Sequence, residues 1–214
     1  MTRITFLIDG FNLYHSVRQA SIDLSLSGAG TRWLDIWSMC ASYLPAIGNS
    51  AQIEKIFYFS ALAHHRSASD PGTIARHELF IECLVDTGVI PEMGRFKQKS
   101  SQCRRCGKQS IAYEEKETDV AIAVKLLEIF VMDVCDTAVL VTGDTDLVPA
   151  ITTAKRLFPR KNVLLLFPYK RHNQELKKLV TQAFQLKKET YHRHQFADPY
   201  ICRDGRELFK PLVW

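Results

Sequence analysis

Short apolar runs alternate with longer segments of helical periodicity along most of the chain. The apolar runs are rich in β-branched and aromatic residues, which predicts buried strands. The four clearest runs are RITFLID, QIEKIFYFSAL, TAVLVTG and NVLLLFP. Between them, apolar positions recur at the spacing of a helix, most plainly in DPGTIARHELFIECLVDTG and EKETDVAIAVKLLEIFVMDV. This alternation predicts an α/β fold in which helices cover both faces of a mostly parallel sheet.

Local signals refine some of these elements. A helix is predicted from Asn12, and another in TRWLDIWSMCASYL with Thr31 as its cap. Gly88 is expected to end the helix that precedes it, because glycine adopts the left-handed conformation that often follows a last helical turn.

The remaining segments are expected to complete one large domain. VIPEMGRF predicts a short strand, and residues 97–110 are expected to form a small, basic insertion that carries a CxxC motif. We therefore expect a domain over residues 1–190 that contains this insertion. Residues 191–214 are expected to be a C-terminal extension packed on that domain.

Basic residues gather in strips along the chain. The formal net charge of the 214 residues is only +5, so the distribution is more informative than the total. The densest strip contains Arg95, Lys97, Lys99, Arg104, Arg105 and Lys108. Such a strip suits a polyanion such as RNA, and a solvated basic surface is an equal alternative.

The sequence predicts neither a membrane span nor a secretory signal. The apolar stretch in MTRITFLIDG is short and ends in a charge. The longest apolar run, Val120 to Val134, is interrupted by three charged residues, which argues against a span. Six cysteines without a secretory signal predict reduced thiols and a cytoplasmic protein.

Four aspartates stand where a parallel sheet would bring them together. Asp9 ends the first predicted strand, Asp144 and Asp146 follow the strand AVLVTG, and Asp119 opens a helix. Clustered carboxylates repel one another, and a hard cation such as Mg²⁺ or Mn²⁺ relieves that repulsion while binding phosphate. Helix capping by Asp144 and a dipole interaction by Asp119 are the alternatives. Capping is not expected to explain Asp9.

The segments FLIDGFNLYHSV, EEKETDVAIAVKLLE and VLVTGDTDLVPAI resemble the three signature segments of the NYN domain, a branch of the PIN-like nuclease superfamily. The resemblance extends over roughly Met1 to Lys187. It implies a PIN-like three-layer α/β/α sandwich, an acidic cluster that binds Mg²⁺ or Mn²⁺, and RNA cleavage. Asp9, Asn12, Asp119, Asp144 and Asp146 match the family pattern, as does Lys116 in its K-x-x-D segment.

The resemblance also implies roles for these residues. Asp9, Asp119 and Asp144 are expected to bind metal, and Asp146 to bind it directly or through water. Asn12 would orient a carboxylate or contact phosphate, with a helix cap as its alternative role. Lys116 would neutralise phosphate or remain a solvated lysine.

Cys103 and Cys106 form a C-x-x-C-G motif typical of a zinc knuckle. Structural zinc takes four ligands, so histidines or a second chain would have to complete the site, and a homodimer is one expectation. Reduced thiols and a redox pair are the alternatives. The surrounding loop is expected to bind RNA backbone through Lys97, Lys99, Arg104, Arg105 and Lys108.

Together these observations predict a cytoplasmic, metal-dependent endoribonuclease. A non-catalytic RNA-binding protein of the same fold is the main alternative. A phosphatase or a DNA nuclease with the same acidic site is another.

Overall fold

The computed structural model of the protein describes residues 1–27, 30–102, 106 and 109–213. Its strands are β1 Thr2–Asp9, β2 Ala51–Ala61, β3 Ile90–Gln102, β4 Gln109–Lys116, β5 Thr137–Val141, β6 Asn162–Phe167, β7 Ala183–Gln185, β8 Tyr200–Ile201 and β9 Glu207–Leu208. Its helices are α1 Gly10–Asp23, α2 Ile36–Ala41, α3 Leu44–Ile47, α4 Gly72–Thr87, α5 Thr118–Val131, α6 Val148–Leu157, α7 Gln174–Leu179 and α8 Lys188–Arg193, with 3₁₀ turns at His64–Arg66 and Thr145–Leu147.

Within the described ranges, seven of these strands form one sheet in the order β4-β3-β2-β1-β5-β6-β7. All neighbouring pairs are parallel except β3 and β4, which form an antiparallel hairpin. The predicted α/β fold, with a mostly parallel sheet flanked by helices, is confirmed. The strands β8 and β9 pair separately.

Two hydrophobic clusters lie against the sheet, one on each face. The central strand β1 supplies both, because successive side chains of a strand point to opposite faces. Ile4, Phe6 and Ile8 pack with residues of α1, α2 and α4. Leu7 packs with residues of α5, α6 and α7. The near-continuous apolar run of β1 reflects this burial on both sides.

One sequence prediction of local structure is confirmed and two are wrong. Gly88 ends α4 in the left-handed conformation, with φ of 96°. Thr31, however, is not a helix cap: it is buried, and its hydroxyl donates to Val17 O at 2.7 Å. Asp35 caps α2 instead by accepting from Ser38 N. The helix α1 begins at Gly10 rather than at Asn12.

The segment 97–110, which was expected to be a small basic insertion, is described in part. As far as it is described, it does not leave the sheet, because β3 and β4 extend it as a hairpin that pairs from Arg95↔Lys116 to Gln102↔Gln109. Both faces of this hairpin are largely exposed, so its strands lack the apolar alternation by which strands are recognised. Cys103, Arg104, Arg105 and Lys108 lie outside the described residues.

The C-terminal residues pack closely on the sheet domain. Tyr191 in α8 is buried, and its hydroxyl lies 2.8 Å from Ser16 Oγ in α1. Phe196 is buried as well, and its backbone N–H donates to Trp33 O at 2.9 Å. Within the described part of the chain, no helix is long and apolar enough to cross a membrane.

Candidate active site

The site lies at the point between β1 and β5 where the order of the strands in the sheet reverses. The strand β1 has β2 on one side and β5 on the other, and all three are parallel. Helices that follow neighbouring strands therefore diverge to opposite faces and leave a crevice at the carboxyl ends of the strands, where ligands of open α/β sheets bind. Asp9 is the last residue of β1, and Thr142 directly follows β5.

Asp9 is held by hydrogen bonds from both neighbouring segments. Its Oδ1 accepts from Asn12 N at 2.8 Å, so it caps α1, contrary to the expectation that capping would not explain it. Its Oδ2 accepts from Thr142 Oγ1 at 2.8 Å. Because each carboxylate oxygen has two lone pairs, capping and metal binding are compatible at this residue.

Burial makes the charge of Asp9 costly. The side chain belongs to a residue that is 4% exposed, and desolvation raises its pKa from 3.8 to about 6. The hydrogen bonds from Asn12 and Thr142 act in the opposite direction, and the nearby charges of Asp119 and Glu115 add to the rise. A buried carboxylate with further acidic neighbours is typical of a site that receives a cation.

Asp119 faces the same crevice from the first turn of α5. Desolvation raises its pKa, and the charges of Asp144 and Asp146 raise it further. The chain reaches this position through Glu117, whose φ of 80° lies in the left-handed region and turns β4 sharply into α5. Asp119 is therefore electrostatically linked both to Asp9 and to the loop after β5.

Glu115 is a member of this acidic group that the sequence did not single out. It is half-buried, and desolvation raises its pKa, as does the charge of Asp119. Its Oε1 accepts from Thr118 Oγ1 at 2.7 Å. In a strand, Glu115 points to the opposite face from its neighbours Glu114 and Lys116. This signal could have been used only if β4 had been predicted as a strand.

Asp144 and Asp146 follow β5 on a tight loop. Asp144 Oδ1 accepts from Asp146 N at 3.0 Å, so Asp144 caps the 3₁₀ turn, as the alternative reading of the sequence expected. Asp146 is exposed and Asp144 is half-buried. Gly143 lets this loop approach the backbone after β6, because a Cβ there would lie 2.1 Å from Arg171 O.

Asn12 and Gly10 shape the start of α1 beside the carboxylates. Asn12 Oδ1 is buried and accepts no hydrogen bond within the described part of the chain. The side chain is therefore not the helix cap. A Cβ at Gly10 would lie 2.4 Å from Phe59 O, so only glycine allows α1 to start this close to β2.

The donor atoms at this edge fit a hard divalent cation. They are carboxylate and amide oxygens, which Mg²⁺ and Mn²⁺ prefer. Within residues 1–27, 30–102, 106 and 109–213, no three His, Cys, Asp or Glu side chains stand close enough to enclose an ion. The arrangement therefore fits an ion that is held by one or two carboxylates and keeps several waters, as Mg²⁺ usually does.

The hairpin places Glu115 and the basic residues of its described strands on opposite faces. Residues directly paired across two strands share a face, so Phe96 shares one with Glu115, and Lys97 shares the other with Glu114. On that second face, Lys99 and Lys116 both form ion pairs with Glu114, at 2.5 Å and 3.0 Å. RNA binding by Lys97, Lys99 and Lys116 stays a prediction.

The cysteine pair is described only in part. Cys106 is exposed and reduced, and Cys103 lies outside the described residues. Zinc binding by the pair and the homodimer that it suggested stay predictions.

The comparison with family models decides the classification. The model of the NYN domain matches residues 3–187 of the chain, which include every aspartate of the site. The chain belongs to the NYN domain family. NYN domains have a PIN-like nuclease fold, and the family generally consists of nucleases.

One solved structure is similar to this NYN protein. It is a protein of unknown function, VPA0982, from Vibrio parahaemolyticus RIMD 2210633. The two chains share 18% identity with a TM-score of 0.55, over 87% of this chain and 93% of the other. At this identity the similarity concerns the fold alone. No curated protein matches the chain.

Proposed function

We propose that this NYN protein is a metal-dependent endoribonuclease, built on the PIN-like α/β/α sandwich that its family implies. The observation that carries the proposal is the electrostatic coupling of Asp9, Asp119 and Asp144 from three separate elements at the switch point of the sheet. Such an uncompensated acidic group repels a phosphodiester substrate, and a bound cation reverses that repulsion.

One or two of the carboxylates of Asp9, Asp119 and Asp144 would hold Mg²⁺ or Mn²⁺ directly. The remaining acidic side chains, including Asp146 and Glu115, would accept hydrogen bonds from the waters of the ion. When bound, such an ion supplies positive charge for the phosphate oxygens and activates water for attack on phosphorus. Hydrolysis would leave a 5′-phosphate and a 3′-hydroxyl.

The other residues of the site have positioning roles in this proposal. Thr142 donates to Asp9 Oδ2 and accepts from Asp144 N at 3.0 Å. One hydroxyl thus fixes two carboxylate-bearing segments relative to each other. Asn12 presents its buried Oδ1 beside Asp9, where it can accept from a water of the ion.

The test is cleavage of a labelled single-stranded RNA oligonucleotide with Mn²⁺ or Mg²⁺, and with EDTA. Asp119→Asn and Asp144→Asn should lower the rate by about 100-fold or more, because even changes around metal ligands cost roughly 10- to 100-fold. Asp204→Asn is the matched control, since Asp204 is exposed and pairs with Arg206 in the C-terminal residues.

The outcome also separates the alternatives. RNA binding without cleavage under any metal condition would indicate a regulatory protein. Equal cleavage of a DNA oligonucleotide of the same sequence would indicate a DNA nuclease. Hydrolysis of a small phosphate ester alone would indicate a phosphatase.

A further inference from the structure

A second concave surface adjoins the carboxylates on the other side of Gly10. It is a groove of about 490 Å³ between α1, α4 and the β3–β4 hairpin, which is room for a nucleotide but not for a duplex. Gly10, which directly follows Asp9, lines it, and so does Phe96, which shares a hairpin face with Glu115. The groove therefore adjoins the acidic site.

Two arginines that line the groove, Arg18 and Arg32, lack acidic partners among the described residues. Arg18 and Arg32 form no ion pair with any described residue, and Arg32 Nε is buried without a hydrogen-bond acceptor in the described part of the chain. The carboxylate in the lining, Asp70, is already paired with Arg76. Desolvation lowers the pKa of Arg32, and the charges of Arg18 and Arg76 lower it further. An anion between these side chains would relieve both effects.

Aromatic rings are interleaved with these charges. Phe11 and Tyr113 are 44% and 41% exposed, respectively, although both are large rings that line the groove. His65 stacks on Tyr113 with ring centroids 4.2 Å apart, which orders that ring before any ligand binds. Phe11 and Arg18 share one face of α1, because they are seven residues apart. Exposed rings beside arginines are the features by which proteins bind single-stranded nucleic acid.

We propose that this groove is a subsite for one nucleotide of a single-stranded RNA, with its base on the exposed rings and its phosphate between Arg18 and Arg32. The strand then continues over Gly10 to the carboxylates. This proposal rests on the proposed function, since it takes the carboxylates as the place of cleavage. The phosphate is either an internal phosphodiester or a terminal 5′-phosphate.

Binding is measured without cleavage, by fluorescence anisotropy of a 3′-labelled RNA in EDTA. Arg18→Gln and Arg32→Gln should each weaken binding by about tenfold. Each should also reduce the slope of log affinity against log salt by about 0.7, the value for one phosphate contact with a single strand. Arg160→Gln is the control, because Arg160 is exposed in the turn before β6, at the opposite edge of the sheet.

The stacking role has its own matched pair. Tyr113→Ala should weaken binding by about tenfold as one base loses its platform. Phe209→Ala removes a ring that is 62% exposed and does not line the groove, so it should leave affinity unchanged. Thermal melts of all variants identify any that fail to fold, and Arg18→Gln, at an exposed helix position, is the variant expected to be neutral for folding.

The comparison of 5′-hydroxyl and 5′-phosphate RNA identifies the phosphate. If the arginine variants bind both RNAs more weakly than the wild type, the bound phosphate is an internal phosphodiester. If they bind only the 5′-phosphate RNA more weakly, it is the terminal phosphate. Unchanged affinity and salt slope in both arginine variants would overturn the proposal, as would an equal loss with duplex RNA. If the arginine substitutions weaken binding but the wild-type protein cleaves no RNA in Mn²⁺, only the nuclease assignment is overturned.

Discussion

Replacing Asp9 by Asn should stabilise the metal-free protein at neutral pH. The pKa of Asp9 is raised from 3.8 to about 6, chiefly by burial. One pKa unit corresponds to about 1.4 kcal/mol, so ionising this side chain in the folded protein costs roughly 3 kcal/mol. Because the folded-state pKa is the higher one, the contribution of Asp9 to stability is complete below pH 3.8 and is lost as the pH rises through about 6.

The asparagine variant carries no such dependence. The difference in unfolding free energy between Asp9→Asn and wild type should therefore rise by up to roughly 3 kcal/mol between pH 4 and pH 8. Urea denaturation in EDTA, followed by circular dichroism, measures this difference at each pH. The substitution also alters the hydrogen bond from Thr142, and it does so at every pH. That change shifts the difference in unfolding free energy by a constant amount and leaves its dependence on pH unchanged. A difference that stays constant over this range would refute the reasoning.

Asp136→Asn is a control in which the dependence of stability on pH has the opposite sign. The hydrogen bonds from Arg3 lower the pKa of Asp136 to about 2, so its stabilising contribution is present at neutral pH and lost on acidification. Its replacement should destabilise the protein at pH 7.

Adding Mn²⁺ should stabilise wild type by RT ln(1 + [Mn²⁺]/Kd) and Asp9→Asn by much less. Equal stabilisation of both would contradict metal binding at Asp9.

Two further substitutions probe the surroundings of the site. Glu115→Gln should raise the Mn²⁺ concentration required for half-maximal cleavage by about tenfold, whereas Glu114→Gln, on the opposite hairpin face, should not; equal effects would refute the assignment of faces. Gly143→Ala should lower the unfolding free energy by about 1–3 kcal/mol because its Cβ would collide with Arg171 O. In the same urea assay Gly48→Ala, where a Cβ meets nothing within 4 Å, should cost little, and similar losses in both would contradict the close approach.

The parallel sheet and its acidic edge could be predicted from the sequence because both depend on local patterns. Buried strands such as β1 and β5 are continuous apolar runs, and the residue after a parallel strand lies at a known edge. This placed Asp9 and Asp144 near each other without any knowledge of their contacts.

Features that depend on contacts between distant residues could not be predicted in this way. Threonine is a common helix cap, but the Thr31 hydroxyl donates to the backbone carbonyl of Val17 in α1. The groove likewise combines α1, α4 and the hairpin, so no single sequence segment displays its lining. Capping rules are local, and tertiary hydrogen bonds override them.

The hairpin shows most clearly how a local miss changes a functional prediction. Taken as a loop, its basic residues form one arm for RNA. As paired strands, β3 and β4 hold Lys97 and Lys99 on one face, whereas Glu115 and Phe96 share the other face, on the side of the groove and the acidic site. A register slip by one residue would exchange these faces. Gly94 opposes such a slip, because a Cβ there would lie only 3.1 Å from both Lys116 O and Thr118 Oγ1. Close packing at the base of the hairpin therefore sets the position of Glu115 beside Asp9.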